Sequence, residues 1–153
     1  DIVVYERTPE PLSFLICYEA IFPYLTRRFV AKGSRLLCAV TNDVWFGPDK
    51  GSKEHAQMAV LRTVENGVPM IRAANNGVSM IVDPYGRILK QSPLHEKATI
   101  TGLVPKAIGR TVYTRFGFLF PYLAAAATIA LLVIALIRRR KVRRKDKKYS
   151  EHS

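Results

Sequence analysis

Apolar residues recur along the chain in short runs separated by polar, glycine- and proline-rich stretches. Ser13–Cys17 (SFLIC) is an apolar run of strand length, which predicts a strand buried on both faces, and Arg35–Thr41 (RLLCAVT), apolar from Leu36 to Val40, predicts another buried strand. Between them Leu25, Phe29 and Val30 fall at helical spacing over Pro23–Lys32, and Gly33 is placed to end that helix. Over Glu54–Asn66, Ala56, Ala59, Val60, Thr63 and Val64 share one helical face, with Ser52 the predicted N-cap and Gly67 the predicted stop. Met70–Ala74 and Val78–Val82 predict strands on either side of Asn75-Asn76-Gly77, a tight-turn signal. Asp83-Pro84-Tyr85-Gly86 predicts a second turn, after which Arg87–Gln91 returns as a strand. Ile2–Tyr5 reads as a short first strand, and Ala98–Val104 alternates like an edge or closing strand. Alternating strands and helices, then strand-turn-strand units, predict an α/β layered domain with a mixed sheet.

The pattern changes after Arg115. No charge occurs from Phe116 to Ile137, and the run FLFPYLAAAATIALLVIALI is apolar on every helical face. At about 1.5 Å per residue such a helix matches the roughly 30 Å hydrocarbon core of a bilayer. Residues 116–137 are therefore expected to cross a membrane, with Tyr113 and Tyr122 toward the interface. Pro121 falls near the first turn, where proline is tolerated.

Charge then sets the direction. The net charge is +12, and nine of the 24 Lys and Arg residues lie in 138–153, against Asp146 and Glu151. A basic tail at the end of an apolar helix marks the cytoplasmic side and touches anionic lipid. That reading is preferred to a nucleic-acid arm. Residues 1–110 then form a domain on the other side of that membrane, which in a bacterium is outside the cytoplasm. The chain opens on Asp1 without a basic-then-apolar leader, so it is expected to be the C-terminal piece of a longer protein. The two cysteines, Cys17 and Cys38, make no disulfide framework and read as free thiols.

Candidate chemistry centres on FLICYE. Cys17 ends an apolar run and is followed at once by Tyr18 and Glu19. It is either a small buried hydrophobe or a nucleophile at a strand tip. Trp45-Phe46 lies in the polar stretch Asn42–Ser52, and aromatics in a polar loop usually serve function. His55, His95 and His152 read as solvated or surface hydrogen-bonding residues rather than a base for Cys17. Cys and His never cluster at zinc-ligand spacing, and no glycine-rich phosphate loop occurs. No metal or organic cofactor is expected.

ICYE, then LLCAVTNDVWFG, then EHAQMAVLRTVENGVPMIRAANNGVSMIVDPYGRIL stand in one order. That order resembles the C-terminal part of the nitrilase, or carbon–nitrogen hydrolase, superfamily. With the apolar helix and basic tail behind it, residues 13–140 resemble a membrane-bound N-acyltransferase branch of that superfamily. The resemblance implies the C-terminal part of an α-β-β-α sandwich followed by one transmembrane helix. It implies a Glu-Lys-Cys triad with Cys17 as nucleophile, the Tyr18 N–H in the oxyanion hole and Glu19 ordering the site. Trp45 and Phe46 would lie near the acyl-chain entrance, and Arg72, Asn75 and Asn76 would be mostly structural. The implied reaction moves an acyl group from a phospholipid to the N-terminal α-amine of a diacylglyceryl-cysteine lipoprotein, in an enzyme monomeric at full length. The base glutamate and the lysine of that family lie upstream of the cysteine. Glu6 and Glu10 stand too close to Cys17 for the role, and Lys32 and Lys50 follow it, so this chain alone is expected to be inactive. A membrane-anchored amidase or nitrilase, and a single-pass domain that only binds a partner, are the alternatives.

Overall fold

The protein is described by a computed structural model that covers residues 2–47 and 50–150, with 140–150 by backbone alone. Two compact units, Asp1–Gly117 and Phe118–Ser153, divide after Gly117.

In the first unit five strands form one mixed sheet in chain order: β1 (Leu12–Ile16), β2 (Leu36–Asn42), β3 (Met70–Asn75), β4 (Met80–Val82) and β5 (Ile88–Gln91). The first three are parallel, and β4 and β5 join antiparallel. Parallel neighbours need long crossovers, and α1 (Pro23–Ala31) and α2 (Lys50–Asn66) supply them. Proline at the first position of α1 gives up no helical hydrogen bond. Gly67, at φ +66°, ends α2, and the N–H groups of Gly67 and Val68 both donate to the Thr63 carbonyl at 2.8 and 3.3 Å. The β4–β5 turn is tied by Asp83, whose Oδ1 accepts the N–H groups of Tyr85 and Arg87 at 2.9 and 2.8 Å.

One sheet face carries Leu15, Leu37, Ala39, Met70, Met80 and Val82, packed against Phe29 and Val30 of α1 and Ala56 and Ala59 of α2. The strands are not buried on both faces as their continuous apolarity predicts. Phe14, Ile16 and Val40, on the opposite face, are exposed. A run apolar at every position fixes the strand but does not say whether a second layer covers it.

Four further expectations need correcting. Ile2–Tyr5 is not a strand; Tyr5 and Leu12 exchange one pair of backbone hydrogen bonds, an isolated bridge. Ala98–Val104 joins no ladder. It is held by side chains, with Lys90 Nζ donating to the Thr101 carbonyl at 2.5 Å. Ser52 is not an N-cap, because α2 begins two residues earlier and buries it at 1 % exposure. Asn42–Ser52 is also not all loop: Val44–Phe46 forms a 3-10 turn, while Pro48 and Asp49 lie outside the described residues.

The unit closes with α3 (Val112–Phe116), capped by the Thr111 hydroxyl, which accepts the Thr114 N–H at 3.0 Å. Arg27 of α1 donates to the carbonyls of Tyr113 and Arg115 at 3.1 and 3.0 Å, and Gly117 at φ +61° ends the helix.

The second unit is α4 (Leu119–Ser150). Its segment Leu119–Arg139 is 21 residues long, with a mean hydropathy of 2.4, and is long and apolar enough to cross a membrane. The helix continues into the basic run. Residues 151–153 of the expected tail lie outside the described residues.

Candidate active site

The parallel strands bring their carboxyl ends to one edge, where ligands of open α/β sheets bind. Cys17 is the first residue beyond β1 on that edge. It sits at φ +53°, a left-handed conformation uncommon for a residue with a side chain, and opens a 3-10 turn, Cys17–Ile21. A position this strained persists only where its surroundings hold it. Glu19 Oε2 accepts the Ile16 N–H at 2.7 Å, closing the start of the turn. Arg62 of α2, buried, donates through Nη1 to the Ile21 carbonyl at 2.6 Å, closing its end, and through Nη2 to Glu65 at 2.8 Å. Burial pushes the Glu65 carboxyl up, against the pull of the Arg62 charge.

Tyr18 projects onto a stack of rings. Its ring lies 5.5 Å from the His55 imidazole at 26° and 5.8 Å from Phe46, and Phe46 lies 5.2 Å from His55. Phe46 is seated against Gly51, where a Cβ would stand 2.6 Å from the Phe46 Cβ. Trp45, beside it, is 87 % exposed. The 3-10 turn that carries both aromatics thus sends one side chain inward and the other out.

Below the rings is a buried polar network. Asp43, just after β2, accepts from Arg72 Nη2 at 2.7 Å, from His55 Nδ1 at 2.9 Å and from the Thr41 hydroxyl at 2.9 Å. The side chains of Arg72 and Asp43 are both fully buried, so the charges are paired in a low-dielectric interior. Burial pulls the Arg72 guanidinium below its ordinary value, opposed by Asp43 and by the Cys17 sulfur. Gly77 closes over the carboxylate, and a Cβ there would stand 2.2 Å from Asp43 Oδ2. The Asp43 N–H donates to the Asn75 carbonyl at 3.1 Å, and Asn75 Nδ2 donates to Asn42 Oδ1 at 3.3 Å.

The structure therefore gathers Cys17, Tyr18, Glu19 and Phe46, and leaves Trp45 at the rim. His55 is not a solvated or surface residue but 3 % exposed inside the site. Asp43 and Arg62 were not singled out by sequence. A carboxylate just beyond a buried strand, and an arginine inside a helix with an apolar face, were the available signals. Cys38 sits mid-strand in β2, and burial pushes its thiol up; both cysteines are free. Among the described residues no group of three or more His, Cys, Asp or Glu side chains could hold a metal.

This fold and edge site define the chain's class. Residues 3–113 match the carbon–nitrogen hydrolase family, to which the chain belongs. The chain also superposes on an amidase from Nesterenkonia sp. at TM-score 0.52 and 25 % identity, covering 60 % of this chain and 37 % of the amidase. Within the family the chain is similar to the apolipoprotein N-acyltransferase of Geobacter metallireducens, 43 % identical over 130 residues, or 85 % of this chain and 25 % of the relative. The enzyme of the same name from Pseudomonas paraeruginosa is 43 % identical over 124 residues, 81 % of this chain and 24 % of the relative. That from Rickettsia bellii is 44 % identical over 104 residues, 67 % and 21 %. The chain spans about a quarter of the length of the curated relatives it matches.

Proposed function

We propose that this chain is the nucleophile-bearing part of a membrane N-acyltransferase acting on bacterial lipoproteins. The observation that carries the proposal is Cys17, held left-handed at the end of a parallel strand by Glu19, Arg62 and the Tyr18–His55 stack. A structural thiol needs no such support. Similarity to named apolipoprotein N-acyltransferases supplies the reaction class.

The thiolate attacks the ester carbonyl of a phospholipid. The thioester forms and the ester C–O bond breaks, and the lysophospholipid leaves with the proton that the glutamate base had taken from the Cys17 thiol. The free α-amine of a diacylglyceryl-cysteine then attacks the thioester carbonyl. The amide bond forms, the thiolate departs, and the amine loses its proton. Each step is easier than direct transfer between the two lipids. The Tyr18 N–H, at the start of a turn where no intrahelical acceptor is offered, stabilises the oxyanion. The glutamate base and the lysine come from residues outside this chain, and the chain alone is inactive. Trp45 and Phe46 flank the entrance for the acyl chain. Residues 1–110 work outside the cytoplasm, 116–137 span the inner membrane and 138–153 stay on the cytoplasmic side. The complete enzyme is a monomer and needs no metal or organic cofactor.

The test is Cys17→Ser in a polypeptide of the relatives' full length. Transfer of labelled acyl groups from phospholipid to a diacylglyceryl-cysteine peptide is expected to stop while the protein still folds. Continued transfer would overturn the proposal. Release of free fatty acid in place of amide would favour an amidase-type hydrolase.

A further inference from the structure

We propose that His55 is a positioning residue: oriented by Asp43, its ring supports Tyr18 and so holds the Cys17 turn in its attacking geometry. This rests on the acyltransferase reading only for the nature of the electrophile, because the support itself is independent of what Cys17 attacks.

A histidine packed only to fill space would not need a fixed ring plane. Here the plane is set from below. Nδ1 donates to Asp43 Oδ1 at 2.9 Å, and Asp43 is itself immobilised by Arg72 at 2.7 Å and Thr41 at 2.9 Å. Gly77 leaves the carboxylate no room to shift toward the β3–β4 connection. The ring is held from the side by Phe46. Its upper face meets Tyr18 at an interplanar angle of 26°, with the ring centroids 5.5 Å apart. Tyr18 is half exposed, so burial alone does not fix it. It is covalently the next residue after Cys17, whose left-handed backbone relaxes if its neighbour is free to turn. The chain of constraint runs from a buried ion pair through one imidazole to the nucleophile turn.

The experiment uses the full-length polypeptide in membranes. The rate of acyl-Cys17 formation from phospholipid is measured per iodoacetamide-titratable site, alongside the alkylation rate of Cys17 itself. In His55→Ala, acylation at saturating phospholipid is expected to fall about 100-fold, the loss typical of an ångström-scale misplacement. KM stays within about threefold. Alkylation of Cys17 slows as well, and that of Cys38 does not. His55→Phe, which restores a ring but not the Nδ1–H that Asp43 orients, recovers only part of the rate, and His55→Asn, which keeps a polar group for Asp43 but no ring, recovers less; full recovery in His55→Phe would show that Asp43 does not orient the ring. If His55→Ala fails to fold, Tyr18→Leu removes the same stack from its half-exposed side and is expected to lose the same factor. In the double variant the two losses do not add, since they break one contact. His55→Ala or Tyr18→Leu with wild-type rates per titrated site, or fully additive losses, would overturn the inference. Alkylation of Cys17 that depends on His55 in an enzyme forming no acyl adduct would uphold the inference and remove the acyltransferase reading.

Discussion

Arg72 Nη2 donates to Asp43 Oδ2 at 2.7 Å, and neither side chain has any exposure to solvent. Arg72 stands on β3 and Asp43 just beyond the end of the neighbouring β2, 29 positions apart, and they meet at the edge where the candidate nucleophile emerges. Removing one partner strands a buried charge, which costs about 3–5 kcal/mol. Arg72→Met is therefore expected to lower stability by that amount. Arg72→Met combined with Asp43→Asn, which removes both charges, is expected to recover much of the loss. Chemical denaturation of the wild type and the two variants checks the order.

Gly77 makes a second, sterically defined prediction. A Cβ there meets the Asp43 carboxylate at 2.2 Å, a separation that van der Waals contact forbids. Gly77→Ala is expected to push the carboxylate off Arg72 and His55 and to destabilise by about 1–3 kcal/mol, as overpacking does. A crystal structure or thermal melt of the variant shows whether the ion pair is displaced.

Trp45 gives the opposite signature. At 87 % exposure it contributes little packing, so Trp45→Ala is expected to change stability by less than about 0.5 kcal/mol. If Trp45 flanks the acyl entrance, KM for phospholipid rises while the melting temperature stays. A matched loss of both would place Trp45 in the fold instead.

Asp83 supplies a pH dependence. Burial alone would raise its carboxyl, but the N–H groups of Arg87 and Tyr85 and the Arg87 guanidinium at 2.6 Å hold it below the usual range. The folded value thus lies below the unfolded one of about 3.9. The stabilisation is complete above the unfolded value and is lost as pH falls through the folded one. Asp83→Asn is expected to cost about 2 kcal/mol near neutrality, the scale of hydrogen bonds to a charged group. The gap to wild type narrows on acidification, which denaturant melts at several pH values measure.

The elements were legible where one signal sufficed. Pro23 and Gly33 bracket α1, Gly67 ends α2, and Asp83-Pro-Tyr-Gly makes its turn, because backbone conformation at those positions depends on local chemistry. The apolar stretch is a helix from Leu119, not from Phe116 as its lack of charge suggests, because Gly117 at φ +61° ends α3 first. Exposure of Phe14 and Ile16 was not legible, since apolarity says what a face prefers and not whether a layer is present to cover it. His55 was misread for a related reason. Its burial depends on Asp43, Tyr18 and Phe46, three residues brought to it by strand register and a 3-10 turn rather than by spacing. The left-handed backbone at Cys17 likewise follows from contacts with α2 that no local pattern encodes.

The most direct measurement is mass spectrometry of Cys17 in the full-length polypeptide after incubation with labelled phospholipid. Cys38 serves as the internal control, because burial keeps its thiol protonated and slow. The expected result is a hydroxylamine-sensitive acyl adduct on Cys17 alone, discharged by a diacylglyceryl-cysteine peptide. A folded protein that forms no adduct on Cys17 would contradict the assignment of that thiol as a nucleophile.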